Sequence, residues 1–456
     1  MFLSSSSLTK HCWCLRHFSA NIKFSSSSSK PRLLNHQDKD CEDFLPWLER
    51  KAGVQVSSKV YIGKSAHGRS LFAAEDIRAG ECILQVPYNV QVSPDCLLPK
   101  VRTLLENEVG NVAKLAVVLL VEQNIGLESE WAPYTSRLPQ PGDIHSTIFW
   151  SERELEMIRQ SSLYQETMKQ NAQIERDFST IKLVLDRFYG IFEGVTLRDF
   201  KHAHALVGSR AWGSSKGASL IPLADFLNHQ ADSEAFVLND EDMQVSEVIA
   251  DHDYAAHEEV FISYGKFSNS TLLLEYGFAL PYNKHEEVQI SIPHHDLLPK
   301  MKFEILQGHL FPVTNDANVF KTSGNSFTIK EVKSVEGKGK GLPQSLRAFA
   351  RVLSCTSHQE LEDLTKEAAE TDGRLARRPL KDISREIQAH EILLSRFSQL
   401  IGEYNASIES LEKICSVPTC ENFATRRKMA LNLLNGELRV LESASAWLKN
   451  YCATLH

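Results

Sequence analysis

The residues best equipped for chemistry lie in four short clusters: Ser209-Arg210-Ala211-Trp212, Asp225-Phe226-Leu227-Asn228-His229, Tyr264 between VFIS and Gly265, and Tyr276 within LLLEYGF (272–278). An Asn-His corner after the apolar run Leu220–Leu223, which reads as a strand, puts side-chain donors and acceptors beside free backbone groups. Such a corner is costly to bury unless all of them find partners. Taken singly, Asn228-His229 reads as an ordinary turn and Tyr264 as a core tyrosine. Together they offer amide, hydroxyl, backbone and aromatic groups rather than a His-Asp pair, which suits holding and aligning reactants more than acid-base work.

Metal chemistry finds little support. His252 and His257 stand at ligand-like spacing in HDYAAHE but lack further ligands, and are expected at the surface. His202 and His204 would share one face of a strand, again with no third ligand. The nine cysteines form no CxxC pair and no Cys/His cluster at zinc spacing, so they read as buried or incidental thiols in a reducing compartment. The acidic run Asn239–Asp242 reads as a solvated hairpin turn between Phe236-Val237-Leu238 and Met243-Gln244-Val245.

SRAW, DFLNH, VFISYG and YGF, in this order and spacing, resemble the catalytic half of a SET-domain protein methyltransferase, most of all the plant Rubisco large-subunit lysine methyltransferase type. The block HGRSLFAAEDIRAGECILQVP resembles the opening of such a domain, with Gly68 in the donor turn and Ser70 where many SET domains carry a second glycine. The resemblance implies S-adenosyl-L-methionine as methyl donor and a protein substrate presenting a lysine. It further implies that His67, Gly68, Arg69, Asn228 and His229 bind the donor. Ser209, Arg210, Trp212, Asp225 and Tyr276 would then line the lysine channel, and Tyr264 would act at the point of transfer. A histidine methyltransferase on the same scaffold, or a non-catalytic scaffold subunit of an organellar complex, are the alternatives. The resemblance implies no metal, and the cysteine-rich motif that follows many histone-directed SET domains is missing.

These residues have to be positioned by an α+β chain: a strand-rich SET domain over 38–285 with a helical insert at about 97–199, then a mostly helical substrate-binding domain over 293–456. Apolar spacing predicts helices over 41–52, 97–105, 112–123, 152–161, 174–192, 343–354, 386–407 and 424–451. Strands are expected at 60–62, 70–73, 83–86 and 259–265, with strands and turns throughout 200–278 and a Gly/Lys loop at 337–341. Pro133, Pro139, Pro141 and Gly142 break the insert.

Length and composition bound the rest. With 456 residues, 42% hydrophobic and 24% charged, the chain can bury sizeable cores. A net charge of -8 argues against a nucleic-acid partner, and the longest apolar run, Leu115–Val121, is too short to span a membrane. A monomer is expected. Residues 1–37 contain no acidic residue, but carry Lys10, Arg16, Lys23, Lys30 and Arg32 among serine runs, the composition of an organelle transit peptide. LRHFSA would also suit a mitochondrial presequence, so the expected address is organellar, the plastid stroma ahead of the mitochondrial matrix by family resemblance.

Overall fold

The structure is a computed structural model describing residues 38–455 except 188–193, 215–216, 293–298, 311–325, 336–337, 371–372, 377 and 414–420. The leader expected over 1–37 lies outside the described residues. The chain is α+β: small sheets and a helical insert in the first part, long helices in the second.

The first sheet is what brings distant motifs together. Strands β1 (Val60–Ser65) and β2 (Gly68–Ala73) form an antiparallel hairpin with Ser65 opposite Gly68. Gly68 sits at φ +97, a conformation that a side chain disfavours, so the tight turn calls for glycine. After β3 (Cys82–Pro87) come the insert helices Pro99–Leu105, Asn111–Ile125, Ala132–Thr135, Glu152–Glu156 and Leu163–Leu185. Helix Asn111–Ile125 is buried over Leu115–Leu120 and packs on helix Leu197–Gly208. Strands β4 (Ala211–Ser214) and β5 (Gly217–Leu220) follow as a hairpin, then the two-residue β6 (Asn228–His229). The hairpin partners β7 (Val237–Asp240) and β8 (Val245–Ile249) pair on around the acidic turn, and β8 joins β3. Strand β9 (Glu259–Ile262) completes the first sheet in the order β1-β2-β9-β6, antiparallel to β2 and parallel to β6. The parallel register sets Asn228 beside Phe261 and His229 beside Ile262, two residues before Tyr264.

The remaining chain contributes the two-stranded sheet β10 (Glu287–Ser291) and β11 (Ser326–Lys330), a small hairpin at 333–340, and helices Gln344–Ser354, His358–Ala369, Ile383–Lys413 and Glu421–Leu455. One hydrophobic cluster fills the sheet-and-insert half. A second joins Trp150, Ile158, Leu163 and Leu273 from that half to Phe397, Leu433 and Leu441 on the long C-terminal helices. The two parts therefore share a core. Ion pairing reinforces it: Arg426 bonds Glu154 at 2.9 Å.

Several expected elements differ. Residues 197–208 form a helix, not a strand, so His202 and His204 point to different faces. His202 Nε2 lies 3.0 Å from the Pro139 carbonyl, and His204 packs near Phe200. Phe200, Ala203 and Leu206 recur at helical spacing, and Thr196 and Asp199 form a capping box that starts the helix. Leu220–Leu223 is strand only at its first residue; the chain then turns through Leu223 at φ +76 into a short 3₁₀ turn, Ala224–Phe226. Residues 152–161 are helical only to Glu156, the helix expected at 174–192 spans Leu163–Leu185, and 188–192 lie outside the described residues. The Gly/Lys loop is strand over Lys338–Lys340, while Gly337 lies outside the described residues.

Candidate active site

Tyr264 is clamped by the Asn-His corner. Its N–H donates to His229 Nδ1 at 3.1 Å and its hydroxyl donates to the Leu227 carbonyl at 2.8 Å, one bond on either side of Asn228. Burial raises the phenol's pKa well above its ordinary value, although Arg210 pulls the other way, so the group stays protonated at neutral pH. It can orient and polarise, but it does not act as a base. His229 accepts the backbone N–H through Nδ1, and burial lowers its pKa, which favours the neutral ring.

An aromatic wall packs against the Tyr264 ring. Tyr276 stacks on Tyr264 at 4.8 Å and 25° between ring planes, and Trp212 meets it edge-on at 6.3 Å. His229 lies at 5.2 Å and Phe278 at 6.4 Å from the same ring. Tyr276 owes its place to a π-helical turn, Leu272–Tyr276, that ends at Gly277 with φ +78. A Cβ at Gly277 would stand 2.9 Å from the Ser146 backbone nitrogen, and the Ser146 hydroxyl ties the same turn through the Leu274 carbonyl. Gly277→Ala is therefore expected to cost about 2 kcal/mol, from backbone strain and from collision with a main chain that cannot swing aside. Urea unfolding checks this; an unchanged midpoint would show that the turn can relax.

A second polar group adjoins the wall. Tyr134 donates to Asp225 Oδ2 at 2.5 Å, while Asp225 Oδ1 is sealed from solvent without a partner among the described residues. Burial pushes the Asp225 carboxyl up to about 6, against the Tyr134 hydrogen bond and the Arg210 charge. Arg210 donates to the Ser209 hydroxyl at 2.6 Å. The Trp212 indole N–H is also buried, with no partner among the described residues. Two orphaned polar atoms beside an aromatic wall mark a place where a further polar group would be bound favourably.

At the other end, Asn228 Nδ2 donates to Glu259 Oε1 at 3.1 Å and approaches the Arg69 carbonyl at 3.4 Å. This joins the β1–β2 turn to the corner. The Arg69 side chain itself is tied elsewhere, to Asp38 at 2.8 Å and to the Arg137 carbonyl at 3.0 Å, so only its backbone meets Asn228. His67 is exposed at the hairpin tip, its N–H held by the Ser65 hydroxyl. Ser70 is buried in β2, its hydroxyl without a partner among the described residues. The sequence singled out Gly68, Arg69, Asn228, His229, Ser209, Arg210, Trp212, Asp225, Tyr264 and Tyr276, and the fold draws most of them to one place. It did not single out Tyr134, Glu259 or Phe278. Phe278 stood in the YGF motif, but nothing local marked Tyr134, which lies 91 residues from its partner.

Turn backbone, amide side chain, neutral imidazole and aromatic faces form a donor set suited to a nucleoside bearing a positively charged sulfur, since π faces attract cations. The family comparisons agree with the fold. A SET domain matches residues 68–265, and the family described as Rubisco LSMT substrate-binding matches 293–441. The ribulose-1,5 bisphosphate carboxylase/oxygenase large subunit N-methyltransferase, chloroplastic, of Nicotiana tabacum is 27% identical over 88% of this chain and 80% of its own length. The actin-histidine N-methyltransferase of Callithrix jacchus is also 27% identical, over 88% of this chain and 68% of its own length. Among solved structures, Rubisco LSMT bound to sinefungin and monomethyllysine superposes with a TM-score of 0.71 at 21% identity, covering 92% of this chain and 93% of that one. The chain belongs to the SET-domain, S-adenosylmethionine-dependent protein methyltransferases that carry a substrate-binding domain of the Rubisco LSMT type.

Proposed function

We propose that this protein methylates the lysine side-chain amine of a protein substrate, with Tyr264 acting at the transfer point. The observation that carries this reading is the Tyr264 clamp within its aromatic wall. Because the hydroxyl proton is committed to the Leu227 carbonyl, the phenol oxygen keeps its lone pairs for an N–H or polarised C–H brought up to it. The rings of Tyr264, Tyr276 and Trp212 exclude water. That lowers an amine's affinity for its proton and frees the nitrogen lone pair. Asp225, ionised above about pH 6, would draw the incoming ammonium toward the channel before the proton is lost to solvent. Ser209 and Arg210 would shape the channel beside it. The donor, when bound, supplies an electrophilic methyl carbon, and Gly68, Arg69, Asn228 and His229 would hold it, His67 standing at the tip of the same turn. Alignment of nitrogen, methyl and sulfur then supplies much of the rate.

The likeness to an actin-histidine N-methyltransferase favours a second reading, with histidine as the acceptor. Placement in the plastid stroma, ahead of the mitochondrial matrix, rests on the leader composition and on the relative named chloroplastic. The protein is taken as a monomer with no nucleic-acid partner; no helix among the described residues is long and apolar enough to cross a membrane. The unit boundaries near 38–285 and 293–456 belong to the same proposal.

The test combines donor binding with acceptor identity. S-adenosylmethionine at millimolar concentration should raise the melting temperature of the purified chain, and Asn228→Ala should weaken that shift about tenfold in concentration dependence. Absence of any shift in a folded sample would favour a non-catalytic scaffold. With organelle extract and labelled donor, label recovered as methyllysine supports the proposal; label recovered as methylhistidine overturns it in favour of the second reading.

A further inference from the structure

A cavity of about 410 Å³ opens between the insert and the C-terminal part, away from the aromatic wall. Three cations line it: Arg159 and Lys169 from the insert side, and Arg396 from the long helix Ile383–Lys413. Lys169 has no partner among the described residues, and Arg396 uses only Nε, on the Ser291 carbonyl at 3.1 Å, which leaves its terminal nitrogens. Arg159 pairs with Glu156 on an exposed surface, a contact of little energy that a better partner can replace. The one acid in the lining, Glu166, is engaged by the Ser162 hydroxyl at 3.2 Å.

The floor of this cavity is the small sheet, with Gln289, Ile290 and Ser291 of β10 and Ser326 of β11 in its lining. Strand β10 pairs only with β11 among the described residues. In an antiparallel pair the backbone groups of alternate residues face outward. The Lys330 N–H bonds Gly341 rather than β10, and the Ser291 carbonyl bonds Arg396. Glu287–Lys330, Gln289–Thr328 and Ser291–Ser326 are therefore the non-bonded pairs, and Gln289 turns its N–H and C=O away from β11. Such an edge is a template for another strand.

We infer that this cavity docks an extended, acidic segment of a partner protein, added as a strand along β10 with its carboxylates on Arg159, Lys169 and Arg396. A small free anion would satisfy the cations but not the alternating donors and acceptors of the edge. The inference concerns docking and is independent of which residue is methylated.

The test measures fluorescence anisotropy of a short fluorescein-labelled peptide of alternating glutamate and threonine on the full chain. Saturable binding is expected, and a lysine-threonine peptide should not bind. Arg159→Glu with Lys169→Glu, both exposed, should weaken binding by at least about tenfold. Gln289→Pro removes an N–H outside the β11 ladder and should weaken it similarly. If that variant folds poorly, the same peptide with N-methylated backbone amides should fail to bind the unaltered chain. Donor-induced stabilisation should persist in the charge-reversal variant, which separates this proposal from the methylation one. No binding of the glutamate peptide, or equal binding by the charge-reversed chain, overturns the proposal. Binding unaffected by backbone N-methylation and displaced by inorganic phosphate would show a simple anion site and overturn it as well.

Discussion

Tyr264→Phe is expected to lower methyl transfer on the order of a hundredfold while leaving donor binding close to that of the unaltered protein. Phenylalanine keeps the ring that stacks on Tyr276 and meets Trp212 edge-on, so the wall persists. What disappears is the hydroxyl that donates to the Leu227 carbonyl and that the proposed reaction places at the transfer point. The Leu227 carbonyl loses its donor, which costs roughly 1–3 kcal/mol of stability, far from enough to unfold a chain with two large cores. Asn228→Ala has the opposite signature, a weaker donor response, because Asn228 joins the β1–β2 turn rather than the transfer point. Single-turnover rates at saturating donor would separate the two. A Tyr264→Phe protein that methylates at the unaltered rate removes this tyrosine from the mechanism.

The second large effect concerns pH and the junction between the two parts. Glu437 is wholly buried there, accepting from Ser161 at 2.8 Å and from Tyr404 at 3.0 Å. Burial pushes its carboxyl up to about 8, and nearby Glu286, itself pushed up to about 7 with one unpartnered oxygen, adds repulsion. Both carboxyls release their protons near the ordinary value of 4.5 when the chain unfolds. Folding therefore binds protons between about 4.5 and 8, and this contribution is fully present below about 4.5 and lost as pH rises through about 7 and about 8. At ~1.4 kcal/mol per unit, shared between two coupled acids, the loss is on the order of a few kcal/mol. Glu437→Gln keeps the shape and the hydrogen-bonding capacity without a proton to lose. Its melting temperature should match the unaltered protein near pH 5 and exceed it by several degrees at pH 9. Parallel pH curves for the two proteins would mean that the junction already accommodates the charge.

The sequence by itself determined the class of fold and named, through its motifs, most of the residues gathered at the candidate site, for identifiable reasons. Apolar spacing announced the long helices Ile383–Lys413 and Glu421–Leu455, because packing a buried stripe forces that period. The β1–β2 turn was legible from Gly68, where the backbone needs a conformation other residues resist. Asn228, His229, Tyr264 and Tyr276 stood out only through the order and spacing of SRAW, DFLNH, VFISYG and YGF and the family these resemble; taken singly, Asn228-His229 reads as a turn and Tyr264 as a core tyrosine. Local pattern failed where two periods compete. His202 and His204 suggested alternation, yet the capping box and the spacing of Phe200, Ala203 and Leu206 made a helix. It failed again over 272–278, where the apolar run LLLEY closes as a π turn because Gly277 must pass the Ser146 backbone. Only the tertiary structure decided which groups meet: Tyr134 with Asp225, Glu259 with Asn228, Glu286 near Glu437, and β10, paired only with β11 among the described residues, with a cationic cavity. Each is a contact between segments far apart in the chain. Hydrogen bonding and charge act through space, so no spacing along the sequence could announce them.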